Sequence, residues 1–195
     1  MKRYVKNVLL KIDLPKYKLQ EKLDILASMK TKYKRLAVAF TGPSGSGKTT
    51  LIEKISKTLN DKDFKVAIIK HDPKDKAIFD QEGKDSDRFS KTGAEVAILS
   101  DTRTTLFKKQ KSTIDDVIRL FGDFDYLLVE GLKTIPLPRI CIQRESLNIN
   151  YFTVSDSLAI DESINKNDLP KNMNILNLNH TEEIIHWIEN NAKQV

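Results

Sequence analysis

The 195-residue chain carries 33 Lys and Arg against 27 Asp and Glu, a net charge of +6 that suits an anionic ligand or partner. Its basic residues are spread without interleaved aromatics and no apolar run reaches membrane-spanning length, which argues against nucleic-acid binding and a membrane span. Cys141 is the sole cysteine, so an intramolecular disulfide is excluded, and with three histidines there is no cluster of soft metal ligands. The length suits one domain plus an extension, large enough to bury about 70% of the surface its unfolded form exposes.

Residues 1–35 form the extension. They hold a short apolar piece at 8–10, ended by Lys11 and too short for a signal core, so a cytoplasmic location is expected. A helix is predicted over 15–29, with Leu19, Leu23 and Leu26 on one face, followed by a basic linker of Lys30, Lys32, Lys34 and Arg35. No function attaches to this part.

Residues 36–195 read as a nucleotide-binding domain. The apolar run 36–40 predicts a buried strand, and Leu51, Ile52, Ile55 and Leu59 fall at helical spacing. Between them lies Gly42-Pro43-Ser44-Gly45-Ser46-Gly47-Lys48-Thr49-Thr50, with the spacing of a phosphate-binding loop. Its glycines let the backbone curl with N–H groups pointing inward, and the following helix adds the positive end of its dipole. Lys48 is expected to reach the β and γ phosphates, and the Thr49 hydroxyl to complete a Mg²⁺ shell.

Further strands are expected at 65–70, 96–99, 126–129, 140–142, 158–160 and 175–178, with 104–107 pairing 96–99 as a hairpin. Short helices are predicted over 86–92 and from Ile114 to Phe121, the second capped by Ser112 or Thr113 and stopped by Gly122. Thr181, Glu182 and Glu183 open a last helix with Ile184, Ile185 and Ile188 inward and Trp187 at its border. Alternation of this kind predicts a three-layer α/β fold, a mostly parallel sheet with helices on both faces.

In such a sheet ligands bind beyond the carboxyl ends of the strands, which picks out the residues that follow each one. Glu130 ends a Walker-B-like strand and is a candidate for the metal shell or for orienting a water, whereas Asp125 lies at the wrong end. His71 directly follows the second strand. Asn165-Lys166-Asn167-Asp168 matches the N-K-x-D guanine pattern, but the four residues 161–164 separate it from the strand end where that pattern sits.

Four stretches together resemble the molybdopterin-guanine dinucleotide biosynthesis protein B (MobB) family of small P-loop GTP-binding proteins. They are residues 40–50, Ile69-Lys70-His71, Gly83-Lys84-Asp85-Ser86 with Gly93-Ala94, and Val129-Glu130-Gly131-Leu132-Lys133 leading to Arg139-Ile140. The resemblance starts at about Leu36 and leaves the extension uncovered. It implies a P-loop NTPase fold, binding of GTP and Mg²⁺, slow GTP hydrolysis, and assistance to the molybdenum cofactor guanylyltransferase that joins GMP to molybdopterin. Carried over by position, Ser44, Gly45, Ser46, Gly47, Lys48, Thr49 and Thr50 hold the phosphates and Thr49 and Glu130 the metal. His71, Asp80, Lys84 and Asp85 line the neighbouring loop, with Lys48, Glu130 and Asp85 assigned to hydrolysis. Asp161 rivals Asp168 as the guanine contact, and Lys133 and Arg139 suit a phosphate-bearing pterin. A homodimer is left open. The alternative is a P-loop small-molecule kinase, against which stands the lack of an arginine-rich lid: residues 101–122 hold only Arg103 and Arg119.

Overall fold

The structure, a computed structural model, describes residues 33–78 and 80–195; the expected helix over 15–29, the apolar piece at 8–10 and Lys30 and Lys32 of the basic linker lie outside them. Strand β1 (Leu36–Thr41) is followed by helix α1 (Lys48–Asn60), β2 (Val66–Lys70), α2 (Asp85–Lys91), β3 (Val96–Leu99) and β4 (Thr104–Phe107). Helix α3 (Ile114–Phe121), β5 (Tyr126–Glu130), β6 (Arg139–Gln143), β7 (Ser157–Ile160), β8 (Asn174–Asn177), α4 (Thr181–Asn191) and β9 (Lys193–Gln194) complete the domain.

The main sheet runs β2-β5-β1-β6-β7-β8, all parallel, and β9 adds antiparallel to the start of β1. β1 is central and buried on both faces, and its alternate side chains sort accordingly. Val38 and Phe40 join a cluster with Leu51, Ile55 and Leu59 of α1 and Ile184 and Ile188 of α4, whereas Ala37 and Ala39 face Leu127, Val129 and α3's Ile114 and Ile118. The small alanines let α3 and the 131–137 loop lie close to the sheet on that second face. Helices therefore cover both sides.

Local signals set the element ends. Thr113 and Asp116 form a reciprocal capping box on α3, and Gly122 at φ 68° ends it. The Thr113 hydroxyl and N–H, with Arg119, hold the Asp116 carboxyl down at about 2. Trp187, expected at the border of the last helix, is instead buried against the sheet.

The hairpin β3–β4 forms, but not as part of the main sheet: among the described residues the two strands pair only with each other. Ile98, Leu99 and Leu106 stay exposed there, and Val96 is the one residue of β3 that is buried. Periodicity finds such a hairpin without telling which sheet it joins. Among the described residues no helix is long and apolar enough to cross a membrane.

Candidate functional site

The carboxyl ends of the parallel strands converge on the loop between β1 and α1. Its entry is fixed by Gly42 (φ 139°), where an added Cβ would come within 2.3 Å of the Ile142 carbonyl oxygen on β6. No other side chain fits that close approach. The loop then exposes Ser44 and Gly45, buries Ser46, and enters α1 through Gly47 as N-cap, with no side chain capping the first-turn N–H groups of Lys48, Thr49 and Thr50. Uncapped N–H groups at a helix start favour an anion.

Lys48 curls over this cradle and donates from Nζ to the carbonyls of Gly42 (3.1 Å) and Pro43 (2.6 Å). Burial pushes its pKa down, Glu130 favours the charged form, and Lys70 and Lys133 oppose it. Excess positive charge around one carboxylate is an arrangement that a phosphate chain relieves. Ser46 Oγ is buried without a hydrogen-bond partner among the described residues.

The register that sets Phe40 opposite Glu130 brings the end of β5 to the loop. Thr49 Oγ1 donates to Glu130 Oε2 at 3.4 Å, and Lys70 Nζ lies 3.8 Å from the same oxygen. A hydroxyl and a carboxylate side by side are hard oxygen donors of the kind Mg²⁺ takes while keeping waters and phosphate oxygens in its remaining positions. The cradle, the orphaned Ser46 hydroxyl and this donor pair fit a Mg²⁺-bound nucleotide. Among the described residues no group of three or more His, Cys, Asp or Glu could hold a metal.

His71 extends the same edge. Its N–H donates to the Glu130 carbonyl at 3.0 Å, and its side chain packs so close to Gly131 that an added Cβ there would lie 3.0 Å from His71 Cβ. Asp80, Lys84 and Asp85, in contrast, make local contacts. Asp80 accepts from the Gln81 N–H, Asp85 lies 3.7 Å from Arg88, and Asp80 and Lys84 line a surface depression with Ile78, Gln81 and Ser86.

Lys133 sits with its ammonium 3.9 Å over the Tyr151 ring. Arg139 does not face a ligand. It is 1% exposed, and its guanidinium donates to the carbonyls of Gly131 (2.9 Å), Leu132 (3.0 Å) and Ile135 (3.2 Å). The assignment of Arg139 to a pterin phosphate is therefore corrected. As first residue of β6 it points under the loop that follows β5, and three of its five N–H donors brace that loop's backbone.

At the other side of β1, Asp161 follows β7 and is nearly buried. Its Oδ2 accepts from Arg144 Nε at 2.7 Å and its Oδ1 from the Ser163 hydroxyl and N–H. Ser163 first and Arg144 next hold its carboxyl below the usual range. Asp168 closes a 3₁₀ turn (Lys166–Asp168) and is exposed. Arg144 is the site residue that sequence reasoning passed over. It stands directly beyond β6, and the rule that selected His71 and Glu130 by their place after a strand would have selected it too.

Comparison with known proteins follows this geometry. The family model described as molybdopterin guanine dinucleotide synthesis protein B matches residues 37–161. A molybdopterin-guanine dinucleotide biosynthesis adapter protein of Haemophilus influenzae is 32% identical over 158 residues, covering 78% of this chain and 87% of that protein. One of the same description from Escherichia coli is 26% identical over 167 residues, covering 78% and 93%. Among solved structures, Bacillus subtilis MobB aligns with a TM-score of 0.66 at 22% identity over 82% of this chain and 99% of that one. A MobB homologue from Bacillus stearothermophilus gives 0.58 at 21% identity over 79% and 95%. At these identities the structural matches establish a shared P-loop NTPase fold.

Proposed function

The chain belongs to the MobB family, and from that premise we propose that it is a GTP-binding adapter in molybdopterin-guanine dinucleotide biosynthesis, a slow GTPase that assists the guanylyltransferase joining GMP to molybdopterin. The pathway comes from the names of its relatives. The observation that carries the nucleotide part is the contact of Thr49 with Glu130 beneath an uncapped helix start, which unites a phosphate cradle and a hard-oxygen pair.

In this reading the N–H groups of the loop and of the first turn of α1 bind the phosphate chain, and Lys48 leaves the loop carbonyls for the β and γ oxygens. Thr49 and Glu130 hold Mg²⁺, which when bound offsets charge on the phosphates. Glu130 also orients the attacking water. The cations that act on this side electrostatically are lysines 48, 70 and 133. An arginine finger is worth about 10³ to 10⁵ in rate, so turnover by the protein alone is slow and a partner supplies the remainder. Guanine is preferred because a carboxylate of the 161–168 loop accepts from its N1–H and N2–H₂, which adenine cannot match. Arg119 is engaged by Asp116 on α3, which leaves Arg103 alone in residues 101–122 where a kinase would use an arginine-rich lid.

The test offers purified protein GTP, ATP and small-molecule acceptors, with and without Mg²⁺, and follows phosphate release and phosphorylated product separately. Mg²⁺-dependent binding with GTP ahead of ATP, slow release and no transferred product are expected. Equal affinity for the two nucleotides would remove the guanine assignment, and a phosphorylated acceptor would make the protein a kinase.

The loop from His71 to Asp85 leaves β2 beside Glu130 and is the candidate to sense the γ-phosphate. Its first part is already organised, since the Asp72 carboxylate collects the N–H groups of Lys74, Lys76 and Ala77 and is lowered in pKa by them. Hydrogen exchange should slow with a non-hydrolysable GTP analogue and Mg²⁺ relative to GDP, chiefly over 78–86. The same exchange in both states would leave a passive nucleotide carrier.

A further inference from the structure

Arg144 and Asp161 form a pair that the phosphate cradle as described does not use. A Cβ built on Gly47, the N-cap of α1, would lie 3.7 Å from Arg144 Nη1 and 3.8 Å from its Cδ, so the side chain lies along the lip of the cradle. Only its Nε is committed, to Asp161 Oδ2 at 2.7 Å. Its Nη donors make no hydrogen bond among the described residues, and half of the side chain is exposed whereas that of Asp161 is 5% exposed. Asp161 is itself fixed. The Ser163 hydroxyl and N–H hold its other oxygen, and Ser163 Oγ in turn accepts from the Glu145 N–H at 2.7 Å, which locks the loop after β6 to the loop after β7. An arginine held at Nε by a rigid carboxylate keeps its other edge free in a set direction, a geometry suited to a phosphate oxygen.

The sheet order says which phosphate. β5 and β6 flank β1 on opposite sides, and the Thr49–Glu130 pair marks the β5 side as the metal and γ-phosphate end. Arg144 stands on the β6 side, toward β7 and β8. We propose that Arg144, oriented by Asp161, clamps the phosphates nearer the nucleoside, and that Asp161 serves as the positioning residue of this arginine and not as the reader of guanine. This rests on the nucleotide reading above and adds a binding residue to it. Asp168, whose side chain has no hydrogen bond or ion pair among the described residues, is then the carboxylate left for the base.

Affinities for GDP, GTP and XTP, measured by calorimetry on the full chain and its variants, test the inference. Arg144→Ala should weaken GDP and GTP by the same factor, about 10- to 100-fold for a lost charge-assisted contact. Arg144→Lys should recover little, because a single ammonium cannot both hold Asp161 and reach a phosphate. Asp161→Asn should weaken both nucleotides, without further loss when combined with Arg144→Ala and without any gain in XTP binding. Three outcomes would overturn the inference while the parent protein still binds GTP and Lys48→Ala binds it more weakly: unchanged affinities in a folded Arg144→Ala, a loss confined to GTP, or a switch toward XTP in Asp161→Asn. If the parent binds neither nucleotide, the nucleotide reading falls and takes this inference with it. The exposed Arg144 variants keep the test decisive should an Asp161 variant fail to fold.

Discussion

Replacing Lys48 by alanine is expected to weaken GTP binding by roughly 30- to 1,000-fold, the range for removing one partner of a desolvated charge pair, about 2 to 4 kcal/mol. Its Nζ now rests on the carbonyls of Gly42 and Pro43, partners that a phosphate chain replaces with full negative charge. Burial already disfavours the ammonium, so the loop holds a cation whose environment lacks a counter-charge strong enough for it. Stability should change by about 1 kcal/mol or less, because the two lost hydrogen bonds offset a desolvation cost that is also lost, and water can reach the loop where Ser44 and Gly45 are exposed. Calorimetric titration with GTP and Mg²⁺, beside a thermal melt, checks both parts. A folded variant that binds GTP as tightly as the parent would remove the cradle as the nucleotide site.

Arg139→Ala should destabilise the fold by about 3 to 5 kcal/mol, the largest stability effect expected of a polar residue here. The substitution removes three hydrogen bonds, to the carbonyls of Gly131, Leu132 and Ile135, and opens a void beneath the 131–137 loop. Burial lowers the Arg139 pKa while Asp156 opposes this, and three backbone carbonyls accept from the buried guanidinium. Because the braced loop carries Lys133 and follows Glu130 directly, the variant should also lose GTP affinity at temperatures where it remains folded. At about 2 to 4 °C per kcal/mol for a domain of this size, the midpoint of thermal unfolding should fall by roughly 6 to 20 °C. An unshifted midpoint, with pterin binding lost, would instead return Arg139 to the ligand-binding role that its place in the sequence suggests.

The two arginines at the ends of β6 show where information in the chain ends. Arg139 opens the strand and Arg144 follows its last residue, and nothing within a few positions of either says that one is consumed by backbone carbonyls while the other is aimed at the cradle. Features built from residues within about one helical turn of each other were legible from the sequence. The loop of residues 42–50, a cap at Ser112 or Thr113 with its Gly122 stop, and the α/β alternation all rest on contacts that short chain separations enforce. The likeness to the MobB family was legible for the same reason, since it is carried by short stretches at strand ends.

What the tertiary structure decided involves partners separated by longer stretches of chain. The pairing of β9 with β1, the separation of the β3–β4 hairpin from the main sheet and the salt bridge of Arg144 to Asp161 across 17 residues each depend on which strand lies beside which. Strand order is set by how apolar faces of remote segments pack, and local periodicity does not encode it. The chain thus determined that a phosphate-binding loop exists and what kind of fold presents it. Only the assembled sheet decided which side chains share the loop's edge, because parallel neighbours meet there by register and not by sequence distance.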